Sequence, residues 1–301
     1  MVTDLNIKRI LVATDFLQSS RLALDYAVAF AHHFNATIIL LHAVELPEAG
    51  IEAELTTKRP CMTRLDATDR LEAFASGVRR CGIEIETCVE EGFPNHVILQ
   101  AMTTHRADML VLGVPGIHRG LGHFLIGSNT ETILFSESFP TLTVGPHALT
   151  GVDLVLHPKE ILYFSDFTPE ATAAAPYALL LGKAFQVPVE VCQLVPEVAE
   201  GNPELCQKLA DEFSAAMRQV MPAVPTGWCL PAFHLDRRMP IEEIIRRAQI
   251  QLTSVIVLGV RKQSQLRLRF HMSFAYQLLA LASCPVLTIQ GGTHKYRDPG
   301  K

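Results

Sequence analysis

The chain has 301 residues, enough for two ordinary domains, and with 49% hydrophobic and 19% charged residues it is not an intrinsically disordered protein. Its formal net charge of −5 gives no general attraction to nucleic acid or to an anionic membrane, so neither is expected as a partner. Because no apolar run approaches the roughly 20 residues that span a bilayer, and no secretory signal is apparent, we expect a cytoplasmic protein.

The first half of the chain predicts alternating strands and helices. Apolar runs, and one polar–apolar alternation, predict strands at 9–13, 36–44, 83–89, 109–113 and 141–144. Apolar residues spaced by three and four, with helix-start signals, predict helices ending near His33, near 63–80, over 94–104 and from Ser128. Ser19–Ser20 is the predicted cap of the first helix. Strands separated by helices are typical of a parallel sheet.

The second half of the chain repeats the first. Three segments recur in order: Ile10–Phe16 as Ile161–Phe167, 111–114 as 257–260, and 139–144 as 284–289. The offsets of 151, 146 and 145 residues are too regular for chance. A repeat of this length is a domain rather than a unit of a solenoid.

We therefore predict an α/β fold of two tandem Rossmann-like domains, each a doubly wound, five-stranded parallel sheet, related by internal duplication. The expected domains are residues 1–148, which carry the candidate ligand site, and residues 156–292, followed by a disordered tail at 293–301. The closing strands, 140–144 and 285–289, are the predicted contact between the two copies.

In an open parallel sheet, ligands lie beyond the carboxyl ends of the strands, where the strand order reverses. Three turns follow strand ends here: Thr14–Asp15, Ala43 and the segment after Leu112. That segment, 113–129, contains glycines that let a ligand approach the backbone, and Gly127–Ser128 precedes a helix whose free N–H groups face the same space. Such a loop predicts an anionic ligand, although tight turns alone would also explain its glycines and no P-loop lysine is present.

Over essentially its whole length the chain resembles the universal stress protein family. The resemblance is carried by Ile10–Phe16 (ILVATDF), 40–44 (LLHAV), 91–94 (EGFP), 107–113 (ADMLVLG) and 140–144 (PTLTV). ATP-binding members of that family have a G-x2-G-x9-G-[ST] loop. Here Gly113, Gly116 and Gly127–Ser128 fit the pattern, with ten residues instead of nine in the middle.

The resemblance implies that the N-terminal domain binds ATP, or the related ADP or AMP, with Mg²⁺ entering only together with the nucleotide. It implies that Asp15 meets the ribose or base and that the backbone of Ala43 meets the adenine. The other implied binding residues flank these two or contact phosphate: Ala13, Thr14, Leu112, Gly113, Gly116, Gly127, Ser128 and Asn129. His118 and Arg119 are secondary candidates that would neutralise phosphate charge.

The corresponding loop of the second copy has lost the glycine pattern. Lys262 stands in place of the second glycine and Met272 in place of the third, so side chains fill space that backbone amides would offer to phosphate. Arg261, Arg267 and Arg269 make this loop basic, which fits either a different anion site or a solvated charged surface. We expect this domain to be a degenerate scaffold that packs on the first.

No catalytic residue set and no dedicated metal site is predicted. A nucleophile, a base and an orienting acid do not occur at a recognisable spacing, and the seven cysteines form no CxxC pair and are expected to be free, buried thiols. The resemblance therefore implies a stress-response protein that acts as a nucleotide-linked regulator, with at most slow ATP hydrolysis. A nucleotide-free scaffold or dimerisation module, a weak ATPase and a homodimeric state stay open.

Overall fold

In the computed structural model, the described residues are 5–45, 62–114, 132–133, 139–148, 158–165, 168–194, 202–205, 207–208, 211–212, 215, 232–236, 241–250, 252, 254–260 and 274–290. The expected tail at 293–301 lies outside these residues. Contacts divide the chain into two compact units, residues 7–113 and residues 1–6 together with 114–301. Within the described stretches, no helix is long and apolar enough to cross a membrane.

The unit of residues 7–113 is a parallel sheet with helices packed on it. Its strands are β1 (Arg9–Ala13), β2 (Thr37–Val44), β3 (Ile85–Glu91) and β4 (Met109–Gly113), in the spatial order β3-β2-β1-β4. Its helices are α1 (Gln18–Phe34), α2 (Arg64–Arg80) and α3 (Pro94–Thr104). These bounds lie within two residues of the predicted ones for every strand and for the ends of every helix.

The consecutive apolar residues of the central strands need cover on both faces of this sheet. Ile10, Leu11 and Val12 of β1 are all fully buried, although neighbouring residues of a strand point to opposite faces. Right-handed crossovers put α1 and α2 on one face and α3 on the other, because the chain moves outward through β2 and β3 and then returns to β4. The order of the strands therefore reverses between β1 and β4, and a ligand is expected at that switch point.

The start of α1 differs from the prediction. Ser19–Ser20 was predicted to cap this helix, and that is wrong: the helix begins at Gln18, its N-cap residue is Leu17, and Leu17 makes no side-chain cap. Ser19 and Ser20 therefore lie inside the helix, where they cannot cap it, and the Leu17 N–H that precedes the helix donates to Asp15 Oδ1 at 2.9 Å. Ser20 is instead a buried residue of the first helical turn, 4% exposed.

The second unit holds the C-terminal copy and the last strand of the N-terminal copy. Its strands are β5 (Thr141–Val144), β6 (Ile161–Ser165), β7 (Val189–Leu194), β8 (Ala232–Asp236), β9 (Val255–Val260) and β10 (Val286–Gln290). Its helices are α4 (Pro169–Phe185), α5 (Ile241–Ile250) and α6 (Phe274–Leu281). Strands β6 to β10 form the predicted five-stranded parallel sheet, in the order β8-β7-β6-β9-β10. The first four of these strands correspond to the order β3-β2-β1-β4 of the first copy.

Strand β5 pairs with β10 in antiparallel orientation. Leu142 lies opposite Leu287, and the Thr288 hydroxyl donates a hydrogen bond to the Thr141 carbonyl at 3.2 Å. The predicted contact between the closing strands of the two copies is therefore confirmed. This pairing is the reason that β5 groups by contact with the second unit, while the domain bounds 1–148 and 156–292 stay a prediction.

Candidate functional site

The register of the sheet brings several of the predicted site residues to one carboxyl edge. Ala13, the last residue of β1, lies opposite Leu41 of β2 and opposite Leu112 of β4. Ala43 follows Leu41 two residues later in the same strand. Ala13–Asp15, Ala43 and Leu112–Gly113 therefore lie along the edge where the switch point is found.

Thr14 is a structural residue of this edge. Its N–H donates to the Leu41 carbonyl at 2.9 Å, and its hydroxyl accepts a hydrogen bond from the Phe16 N–H at 3.0 Å. Its carbonyl accepts a hydrogen bond from His42 Nδ1 at 2.7 Å. With only 6% of the residue exposed and a protein partner for each polar atom, Thr14 shapes the turn rather than offering a free polar group.

Asp15 uses its two carboxylate oxygens differently. Oδ1 accepts hydrogen bonds from the Leu17 N–H at 2.9 Å and from the Ser20 hydroxyl at 2.8 Å. Oδ2 has no partner among the described residues, and Asp15 is exposed. One oxygen thus closes the turn, and the other is a carboxylate acceptor of the kind that hydroxyl and amino groups donate to.

Phe16 holds the turn in an unusual conformation. Its φ of 64° lies in the left-handed region, where a bulky side chain is strained and persists only when its surroundings fix it. The ring lies 4.4 Å from the His42 ring and 5.5 Å, edge-on, from the Phe74 ring of α2, as centroid distances. The Arg70 guanidinium lies 5.9 Å from the Phe16 ring centre. These contacts were not predicted from the sequence. They fix the conformation of the turn after β1, and with it the position of Asp15.

His42 is a second residue of the site that the sequence analysis did not select. Because the Thr14 carbonyl can only accept, His42 Nδ1 must carry the proton of their hydrogen bond, and Nε2 of a neutral ring is then an acceptor. His42 directly precedes Ala43 in the strand, and this adjacency is the signal that could have found it. Both residues are half-buried at the end of β2.

Gly113 has a packing role that does not depend on a ligand. A Cβ atom added to it would lie 2.4 Å from the carbonyl carbon and oxygen of Ser19 and 2.6 Å from the Ser20 nitrogen. The first turn of α1 therefore packs directly on the end of β4. Gly259 of the second copy is used in the same way, with the Glu170 carbonyl oxygen 2.2 Å from an added Cβ.

The structure describes only the first two residues of the predicted loop, Gly113 and Val114. Six of the predicted residues lie in the segment 115–131, outside the described residues: Gly116, His118, Arg119, Gly127, Ser128 and Asn129. Their assignment to phosphate stays a prediction from the sequence. In the described stretches, no three His, Cys, Asp or Glu side chains are grouped so that they could hold a metal ion.

The second copy shows which parts of this edge are specific to the first. Ile161 lies opposite Val189 as Ile10 lies opposite Ile38. Counting along the two registers puts Gln193 in place of His42 and Leu194 in place of Ala43. The second copy thus has a larger residue where the first has the small Ala43.

The described cysteines do not provide a reactive group for this site. Cys81, Cys88, Cys192 and Cys284 are free, and Cys81 is exposed, so the expectation that all thiols are buried is wrong for that residue. Burial raises the pKa of Cys88 to about 11, with a smaller contribution from the charge of Glu90. Burial also raises the pKa of Cys284 to about 12. Both thiols are therefore neutral and unreactive near pH 7.

A model of the universal stress protein family matches two successive segments of the chain, residues 6–145 and 158–290. The chain belongs to the universal stress protein family. This universal stress protein is 27% identical over 139 residues to universal stress protein MJ0531 of Methanocaldococcus jannaschii, covering 46% of this chain and 81% of the relative. It is also 27% identical over 137 residues to a universal stress protein of Thermus aquaticus, covering 46% of this chain and 98% of that one.

A solved structure shows the same fold over nearly the whole length of the chain. A universal stress protein from Archaeoglobus fulgidus superposes with a TM-score of 0.68 at 17% identity, covering 94% of this universal stress protein and 98% of that chain. A universal stress protein solved in complex with cAMP is 20% identical and covers 46% of this chain and 97% of its own, with a TM-score of 0.34.

Proposed function

We propose that the N-terminal copy of this universal stress protein binds an adenine nucleotide, ATP or the related ADP or AMP, and that the protein acts as a nucleotide-linked regulator in the cytoplasm. The observation that carries the proposal is Oδ2 of the exposed Asp15, which has no partner among the described residues. This acceptor is fixed at the switch point of a doubly wound sheet by the hydrogen bonds made to Oδ1. A fixed carboxylate at this position suits the ribose hydroxyl groups or the amino group of a nucleotide.

Each part of the nucleotide has a proposed partner. Asp15 accepts from the ribose or base, and the backbone of Ala43 contacts the adenine at the end of β2. Backbone amides of the loop from Gly113 to Asn129 receive the phosphates, and Mg²⁺ accompanies them. This last assignment rests on the glycine spacing of the sequence.

The C-terminal copy is proposed to be a scaffold without nucleotide. The strand register puts the larger residue Leu194 in place of Ala43, and Lys262 and Met272 replace two loop glycines. The antiparallel pair β5–β10 gives this copy a structural role of its own. The same observation favours the second candidate function, a nucleotide-free scaffold or dimerisation module.

Isothermal titration with ATP, ADP, AMP and cyclic AMP tests the proposal. We expect heat of binding with at least one of them, and an affinity about tenfold lower in Asp15→Asn, since a neutral amide oxygen replaces a charged acceptor. Asn keeps the oxygen that accepts from Leu17 and Ser20, so the turn stays closed. Asp166→Asn is the matched control in the second copy and should leave the affinity unchanged. No heat with any of the four nucleotides would refute the proposal.

Two further measurements separate the alternatives. A scaffold without nucleotide predicts that Gly127→Val combined with Ser128→Ala changes no binding property of the protein. A weak ATPase predicts phosphate release above background that Asp15→Ala abolishes. Sedimentation of the full chain decides whether it forms a homodimer.

A further inference from the structure

We propose that Ser20 is the positioning residue of the nucleotide site: it holds Asp15 through Oδ1 and thereby makes the site selective for ligands with ribose hydroxyl groups. The proposal rests on the proposed function, because it concerns how the same site recognises its ligand. Ser20 does not touch the ligand in this account and acts only through Asp15.

The hydrogen bonds around Ser20 have a defined direction. Its hydroxyl has one proton and lies 2.8 Å from Asp15 Oδ1 and 3.0 Å from the Leu17 carbonyl. The charged carboxylate is the stronger acceptor, so the proton goes to Asp15. The Thr14 hydroxyl, 3.0 Å away, must then donate to Ser20. Its proton is available for this, because the hydrogen bond with the Phe16 N–H uses only a lone pair of the Thr14 oxygen. A chain of hydrogen bonds therefore runs from the Phe16 N–H through both hydroxyls to Asp15.

This chain determines how the carboxylate is presented. The Ser20 hydroxyl and the Leu17 N–H both donate to Oδ1, so a rotation of the carboxylate would break two hydrogen bonds at once. Oδ2 is consequently held in one direction, without a partner among the described residues. A charged oxygen that is fixed before binding gains more from a ligand hydroxyl than one that must be ordered on binding.

The second copy provides an internal comparison. Gly113 of β4 packs on Ser19 and Ser20, and Gly259 of β9 packs on Glu170 and Ala171. Ala171 therefore occupies the position of Ser20 with the same helix–strand packing. The fold does not require a hydroxyl at this position, since the alanine is accommodated against Gly259. The hydroxyl is present only in the copy that keeps the glycine loop and Ala43.

Ser20→Ala, which copies the natural residue of the second copy, tests the proposal by titration with ATP, 2′-deoxy-ATP and 3′-deoxy-ATP. We expect Ser20→Ala to weaken ATP binding roughly five- to tenfold, because the charge-assisted hydrogen bond that orders the Asp15 carboxylate is lost. One of the two deoxy analogues lacks the hydroxyl that Asp15 accepts from, and the parent protein should bind this analogue more weakly than ATP. Ser20→Ala should not weaken the binding of this analogue any further. A residue that only stabilises the fold would weaken all three ligands equally.

Ser19→Ala is the matched control, because Ser19 precedes Ser20 in the same helical turn and its hydroxyl has no hydrogen bond within the described stretches. It should bind all three ligands like the parent protein. Urea unfolding of both variants verifies that each is folded. If Ser20→Ala binds ATP with parental affinity, or loses all three ligands equally, the positioning role is refuted while nucleotide binding stands. If the parent protein binds no nucleotide, the proposed function fails and this inference fails with it.

Discussion

Gly113→Ala is expected to destabilise the protein in the absence of any ligand. The backbone of Gly113 does not have a positive φ, so alanine can adopt its conformation, and the whole effect comes from the added methyl group. That Cβ would lie 2.4 Å from Ser19 carbonyl atoms, whereas ordinary contact begins at 3.4 Å. The first turn of α1 or the end of β4 must therefore move by about 1 Å in a packed interior, for which we expect a loss of about 3 kcal/mol in the free energy of unfolding.

Urea unfolding without nucleotide, followed by far-ultraviolet circular dichroism, measures this loss. Gly77→Ala is the matched control, since its Cβ would meet only the end of Arg80 at 4.0 Å. Alanine inside helix α2 should raise the free energy of unfolding by roughly 0.5–1 kcal/mol, so the same substitution has opposite signs at the two positions. Gly259→Ala should behave like Gly113→Ala. The packing argument is refuted if Gly113→Ala unfolds at the parental urea concentration, which would leave ligand binding as the role of this glycine.

Two more predictions concern titrating side chains. At pH 8 the thiolate fraction of Cys88 is about a thousandth at a pKa of about 11. Iodoacetamide should therefore label the exposed Cys81 before Cys88 and Cys284, which should stay unmodified until urea is added, as peptide mass mapping would show. Labelling of native Cys284 as fast as of Cys81 would contradict this. The hydrogen bonds from Arg79 and Thr87 lower the pKa of Glu72 below its ordinary value of 4.5. The ionised carboxylate therefore stabilises the folded protein above pH 4.5. This stabilisation is lost as the pH falls through the lowered pKa of the folded state. Glu72→Gln should accordingly be less stable than the parent at pH 7 and equally stable in acid, by urea unfolding at both pH values, and a difference that persists in acid would exclude this account.

The elements of the fold could be predicted from sequence because their signals are local. The apolar runs of β1 and β2, and the spacing by three and four in α1, each lie within a short stretch of chain. The duplication then supplied the order of elements twice, and with it the switch point and the pairing of the closing strands. The cap of α1 was predicted incorrectly, because a serine just inside a helix start has the same local pattern as a serine that caps it.

The site was predicted less completely than the fold. Asp15 and Ala43 could be selected because they directly follow strand ends, and their place on the carboxyl edge follows from parallel pairing alone. Phe16 and the contact of Ser20 with Asp15 could not be predicted, because they depend on a strained turn and on hydrogen-bond directions in the folded protein. His42 could have been found beside Ala43, but its hydrogen bond to the Thr14 carbonyl depends on the pairing of β1 with β2. A positive φ at a phenylalanine has no sequence signal at all.

The sequence by itself determined that the chain is a duplicated α/β domain of the universal stress protein family whose two copies have different loops. Only the tertiary structure decided that Gly113 is needed for helix packing, that Thr14 is fully engaged within the protein, and that one oxygen of Asp15 closes the turn while the other has no partner among the described residues. The physical reason is that periodicity and composition act along the chain, whereas close packing and hydrogen-bond direction depend on atoms that meet only when the strands and helices are assembled.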